Sequence, residues 1–253
     1  MADEVVHLEI TGPIATVTLD SPRNRNALGA ALRSELLAHL TAALADPGAR
    51  VIVLTHTGTV FCSGMDLREA SASGLAGEEF PAILELLWTS PKPVVARLTG
   101  PARAGGLGIV AACDIAVAAD DITFALSEVR LGLIPALISV TLLPRMSPRA
   151  ANELFLTGET FSANRAVEIG LINSAVSADR LDAEIEHYTS MLALGAPGAL
   201  AGAKALLRRD RAATVAEDLA QMNALSATYF SSEEGREGMA AFLDKRPPRW
   251  TLD

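Results

Sequence analysis

Glu128 stands in the run Ser127-Glu128-Val129-Arg130-Leu131-Gly132-Leu133-Ile134-Pro135, a lone carboxylate in an apolar stretch just past a β-like segment. Partial burial raises the pKa of a carboxylic acid and lets one group accept and return protons near neutral pH. The structural alternative is an ion pair with Arg130 or another arginine. Upstream, a buried strand over residues 94–98 runs into Thr99-Gly100 and then Ala104-Gly105-Gly106, ahead of a small-residue helix over 107–112. Such a turn leaves helix N-terminal N–H groups unpaired, and glycine lets a ligand come close to them. It could hold an anion, or an oxygen that becomes anionic. It could equally be a tight turn needed for helix–strand packing. A second glycine turn, Phe61-Cys62-Ser63-Gly64-Met65-Asp66-Leu67, follows a strand over 51–55. Two turns of this kind can each supply one N–H to a single oxygen.

Other chemistries find little support. Gly106-Leu107-Gly108-Ile109-Val110-Ala111 matches the Gly-x-Gly-x-x-Ala dinucleotide fingerprint, and Glu128 follows about twenty residues later. That fingerprint needs its glycines directly at the end of a strand, whereas residues 99–105 intervene here. His7, His39, His56 and His187 show no ligand spacing and no Cys-x-x-Cys occurs, so no metal is expected. No Gly-x-Ser-x-Gly elbow suggests a serine hydrolase.

The elements that must position these residues can be read from periodicity. Residues 5–10 and 14–19 form a hairpin around Thr11-Gly12-Pro13. Leu28, Leu32, Leu36, Leu40 and Leu44 give residues 27–44 helical spacing, ended by Asp46-Pro47-Gly48. Residues 71–77 read as mobile, 81–88 as a helix and 114–118 as a strand. Beyond about residue 145 the pattern is helical, over 148–156, 163–169, 178–194, 198–207, 215–230 and 232–243. Alternating strands and helices followed by helices argue for an α/β class with parallel pairing.

The chain has 253 residues, half of them hydrophobic, enough for one domain with a large buried core. A net charge of −9 disfavours nucleic acid as a partner. The basic run Lys204 to Arg211 reads as a solvated helix face. Two cysteines, Cys62 and Cys113, cannot make a disulfide framework and read as reduced thiols. The acidic start Met1-Ala2-Asp3-Glu4 lacks the flank and core of a signal peptide, and apolar stretches are broken before they could span a bilayer. A soluble, cytoplasmic protein with no membrane partner is the expectation.

Taken in order, these motifs resemble the crotonase superfamily, also called the enoyl-CoA hydratase/isomerase superfamily. Asn26-Ala27-Leu28, the Phe61–Leu67 loop, Thr99-Gly100 through Gly106 with Ala111-Ala112-Cys113-Asp114, and the Glu233 to Arg246 segment are similar to its ordered landmarks. The resemblance covers nearly the whole chain. It implies a ββα spiral core over 1–190 and a helical C-terminal region over 191–253 that trimerises, with trimers often pairing into hexamers. The substrate would be an acyl-CoA thioester; coenzyme A is part of it and no separate cofactor is implied. The two oxyanion donors would fall on Met65 and Gly105, with Glu128 moving protons. Substrate and CoA contacts would fall on Arg25, Ala27, Asp66, Leu67, Arg68 and Gly106. Phe242 and Lys245 would reach a neighbouring subunit's nucleotide.

One departure bears on mechanism. Two-carboxylate hydratases of the family carry a Glu where this chain has Gly108, so Glu128 alone would orient water and deliver the proton. The run Leu126 to Ala136 with Ile138-Ser139 looks like a subgroup that hydrates branched or glutaconyl-type enoyl thioesters. Hydration of a 2-enoyl-CoA is therefore favoured. The alternatives are a Δ3-Δ2-enoyl-CoA isomerase with Glu128 as sole base, and a non-catalytic acyl-CoA-binding protein. The acyl pocket is expected along residues 71–87 and 136–143.

Overall fold

The computed structural model describes residues 4–73, 77–212 and 214–250. Strand β1 (Val6–Thr11) pairs antiparallel with β2 (Ile14–Leu19), as the hairpin pattern requires. Helix α1 (Ala30–Ala45) then leads to β3 (Val51–His56), α2 (Leu67–Ser73) and α3 (Glu79–Thr89). Strands β4 (Val94–Leu98) and β5 (Ala102–Arg103) precede α4 (Gly105–Ala112), and β6 (Ile115–Ala119) and β7 (Thr123–Ala125) precede α5 (Ala136–Leu142). Next come α6 (Pro148–Thr157), β8 (Thr160–Ser162), α7 (Ala163–Glu168) and β9 (Ser174–Val176). Among the described residues four helices follow: α8 (Leu181–Leu194), α9 (Pro197–Ala212), α10 (Val215–Phe230) and α11 (Glu233–Leu243).

Two sheets result. The larger has the order β1-β2-β3-β4-β6-β9 and is parallel from β2 onward. The smaller has the order β5-β7-β8. Each of β4 and β6 leaves the large sheet, adds a short strand to the small one and then enters a helix, which gives the expected ββα spiral. A lone parallel bridge, Cys62 to Ala102, brings the loop after β3 into the same pattern.

Alternation along the parallel strands divides the core. Val17, Leu19, Ile52, Leu54 and Ala96 face Leu36 and Leu40 of α1 with α3 and α4. Val51, Val53, Val95 and Val117 face Leu181 and Ile185 of α8. Burying each such side chain stabilises the fold by roughly 1.5–3 kcal/mol. Residue 190 lies inside α8, which is docked on β3, β4 and β6.

Several sequence expectations change. The small-residue helix starts at Gly105 rather than residue 107. Strands β5, β7, β8 and β9 span two or three residues, too few to show a period. Of the segment 71–77, residues 71–73 close α2, and 74–76 lie outside the described residues. The basic run on α9 is not simply a solvated face. Lys204 and Arg208 are buried, because Asp114 neutralises them: Lys204 Nζ lies 2.6 Å from Asp114 Oδ2, and Arg208 Nη2 donates to Asp114 Oδ1. Arg208 also stacks 4.7 Å from the Trp88 ring centre.

Candidate active site

The two glycine turns meet. Arg103 N donates to Cys62 O at 2.9 Å, which pins β5 to the first turn. Gly64 has φ +92°, and a Cβ there would stand 3.0 Å from Ala104 Cβ and 3.6 Å from Gly105 N, so glycine is needed for the approach. Ala104 itself is held at φ 46°, a strained setting for a residue with a side chain. Gly105 opens α4, so its N–H has no acceptor within the helix. Among the described residues neither Gly105 N nor Met65 N donates a hydrogen bond, and both residues line one cavity of about 320 Å³.

The first turn is braced from behind. Asn26 is wholly buried; its Nδ2 donates to Val60 O at 2.8 Å and its Oδ1 accepts from Ser21 N at 2.7 Å. Leu28 N donates to Gly64 O at 2.8 Å. Arg33, 2% exposed, donates to Leu28 O at 2.6 Å and pairs with Glu69 of α2 and Glu79 of α3. Buried polar groups this well satisfied fix a loop rather than loosen it. Arg33 carries no signal in the sequence beyond its helical position.

Glu128 lies in the same cavity, in a 3-10 turn over Glu128–Leu131. Among the described residues Glu128 has no ion pair, and Arg130 Nε donates instead to Thr157 O at 3.1 Å. Glu128 Oε2 is buried with no hydrogen-bond partner among the described residues. Burial away from water, with no cation to offset it, pushes its pKa up from 4.5 to about 7. A carboxyl poised there can give or take a proton at neutral pH.

The other expected residues divide. Arg25, Leu67 and Phe242 line this cavity; Ala27, Asp66, Arg68, Gly106 and Lys245 do not. Asp66 Oδ1 accepts from Arg68 N and Glu69 N, capping α2. A Cβ on Gly106 would stand 2.8 Å from Cys62 O, so that glycine serves close packing. Lys245 ends α11 at φ 55°. Phe242 lines the cavity of its own chain and is still 51% exposed. It reaches the cavity because α11 folds back on the Glu128 turn, with Gly238 against the Leu131 backbone.

The apolar wall comes from α3 and α5, as expected, through Phe80, Leu137 and Ile138, and also from α10, which the sequence reading does not include. Gly108 faces α5, where a Cβ would stand 2.9 Å from Ile138 Cβ and closer still to its Cγ2. A second carboxylate has no room at that position. Among the described residues no three His, Cys, Asp or Glu side chains group as a metal site, and no single helix is long and apolar enough to cross a membrane.

Comparison with known proteins agrees with this geometry. Residues 9–252 match the family model for enoyl-CoA hydratase/isomerase. A Rhodobacter capsulatus protein named probable enoyl-CoA hydratase is 35% identical, with 99% of each chain covered. Carnitinyl-CoA dehydratase of Proteus mirabilis is 32% identical over 97% of each chain. Among solved structures, an enoyl-CoA hydratase from Mycobacterium avium is 45% identical, with a TM-score of 0.87 and coverage of 98% of this chain and 100% of that one.

Proposed function

The chain belongs to the enoyl-CoA hydratase/isomerase family, and from that premise we propose that it hydrates a 2-enoyl-CoA with Glu128 as the sole proton carrier. The observation that carries the reading is the buried Glu128 carboxyl, its Oε2 without a partner among the described residues and its pKa raised to about 7, in one cavity with two unpaired N–H groups. The thioester oxygen accepts from Met65 N–H and Gly105 N–H. Water adds through its oxygen to C3, and the electron pair of the double bond moves onto the thioester oxygen as an enolate. Ionised Glu128 takes a proton from that water and returns a proton to C2 as the enolate collapses. Each well-placed N–H donor is worth about 3–4 kcal/mol to such a transition state, and the N-terminus of α4 adds to the field.

The names of two relatives, a hydratase and a dehydratase, support addition and elimination of water. A single carboxylate also suits the second reading, proton transfer from C2 to C4 of an enoyl thioester. The closed space at Gly108 leaves both open to Glu128 alone. Glu128→Gln keeps the shape and removes the proton carrier. It is expected to lower kcat by at least about 10²-fold, the lower range for general acid–base catalysis, with little change in binding of a saturated acyl-CoA. Product analysis with crotonyl-CoA and a 3-enoyl-CoA separates hydration from isomerisation. A Glu128→Gln variant that retained the parent rate would remove Glu128 from the mechanism.

A further inference from the structure

The thioester position is set by Met65 and Gly105, and the cavity continues from there between α3 and α5. Helix α10 lies across both of these helices. Three of its residues, Asn223, Ser226 and Phe230, reach the cavity. Spacings of three and four residues put them on one helical face. Phe230 is apolar, like Phe80, Leu137 and Ile138 in the same cavity. Asn223 and Ser226 are not.

The hydroxyl of Ser226 is treated differently from its neighbours. Thr228 and Ser231 bond back to the carbonyls of Ala224 and Ala227, at 3.1 and 3.0 Å. Ser139 and Thr141 of α5 also bond back within their own segment, donating to Ala136 O and Ile138 O at 2.6 and 3.2 Å. Ser226 is 7% exposed and makes no such bond. The Asn223 carboxamide likewise has no partner among the described residues. Polar groups removed from water are unfavourable unless something satisfies them. Asn223 is half-buried, and both side chains open on the cavity, so an occupant that displaces the cavity water must itself supply their partner; beside Phe80, Leu137 and Ile138 the pair marks where a ligand can do so.

We infer that Asn223 and Ser226 form a polar subsite that selects acyl-CoA substrates carrying a hydrogen-bonding oxygen group, a hydroxyl or a carboxylate, beyond the reacting double bond. The inference rests on the hydratase reading only for the reaction used to measure it. The carboxamide offers two donors and an acceptor, and the hydroxyl one donor with two acceptor lone pairs, a set that suits either oxygen group. An all-carbon chain would leave both side chains unpaired, and sites built to hydrogen-bond reject such analogues far more strongly than they sense a missing methylene.

The test uses three 2-enoyl-CoA esters of one chain length, ending in a methyl, a hydroxymethyl or a carboxylate. Hydration kcat/KM is measured for the parent protein, Ser226→Ala, Asn223→Leu and the double variant. Calorimetry with the corresponding saturated esters gives affinities that need no turnover. The parent is expected to favour an oxygen-ended ester by about 10- to 100-fold, and the better of the two identifies the group. Ser226→Ala is expected to narrow that preference and the double variant to lose it. Turnover with no preference for either oxygen-ended ester would overturn the subsite and leave the hydratase reading intact. Preferential binding of an oxygen-ended saturated ester without hydration of any ester would do the reverse.

Discussion

At the scale of the residue, Glu128 ties catalysis to stability. Its folded pKa of about 7 lies above its ordinary value of 4.5 because burial takes the carboxylate out of water. Between those two values the folded chain keeps a proton that the unfolded chain has released. Stability contributed by this group is therefore fully present below pH 4.5 and is lost as pH rises through 7. The loss is roughly 3 kcal/mol at 1.36 kcal/mol per pKa unit. Glu128→Gln removes that dependence, so the variant is expected to gain stability relative to the parent between pH 5 and pH 8. Urea unfolding of both proteins at the two pH values measures it, and an equal difference at both would show that Glu128 does not carry the shifted proton. The same titration makes the base form of the parent rise through pH 7, and on the proposed mechanism its hydration rate is expected to rise with it. The sequence exposes Glu128 because a lone acid in an apolar run is conspicuous. It hides Asn223 and Ser226, since two polar residues in a helix read as solvated until the fold places α10 over the cavity.

At the scale of the element, α4 shows what glycine spacing means. The sequence pattern leaves open whether its glycines serve a ligand or packing, and in the structure they divide. Gly105 supplies an unpaired N–H, while Gly106 and Gly108 let the helix touch Cys62 and Ile138. Gly108→Ala is thus expected to destabilise by about 1–3 kcal/mol through overpacking, in spite of the better helix propensity of alanine. Gly202 in α9 meets nothing within 4 Å, and Gly202→Ala is expected to stabilise by up to about 1 kcal/mol. Thermal midpoints moving in opposite directions would bear this out. A Gly108→Ala protein as stable as the parent would mean that Ile138 yields easily, and a second carboxylate could then be built there. Long amphipathic helices and five- or six-residue buried strands are legible because periodicity accumulates over their length. The strands of the small sheet are not, since two or three residues in β5, β7 and β8 carry no period and are held by their neighbours' register, Arg103 to Ala125 and Ala125 to Thr160.

At the scale of the whole molecule, the C-terminal helices are fastened to the sheet by charge as well as by apolar contact. Asp114, at the end of α4, accepts from Val94 N at 2.8 Å, pairs with Lys204 at 2.6 Å and binds Arg208. Arg145, whose guanidinium lies 5.1 Å from the Trp88 ring centre, adds a third cation beside that ring, in a cavity separate from that of Glu128 and lined also by Asp114, Lys204 and Arg208. In the sequence the basic run of α9 reads as a solvated face, because spacing cannot show that a single acid ninety residues earlier turns two of its cations inward. Burial drives the Lys204 pKa down to about 8, against the opposing pull of Asp114. Asp114→Asn keeps the shape and removes the only carboxylate paired with these cations among the described residues, at a cost of about 3–5 kcal/mol. That deficit should depend on pH. Above about 8 the folded chain can release the Lys204 proton, whereas the unfolded chain keeps it to about 10.5, so stability returns as pH rises through this window. Without Asp114 the release comes at still lower pH, so the difference between Asp114→Asn and the parent is expected to be larger at pH 6 than at pH 9. Adding Lys204→Met to Asp114→Asn should recover part of the loss and flatten that pH dependence. Chemical unfolding of the two variants and the parent at both pH values decides the matter; a deficit that is the same at each pH, and unmoved by Lys204→Met, would show that Asp114 acts through its side-chain bond to Val94 N of β4 and not as the counter-charge of α9.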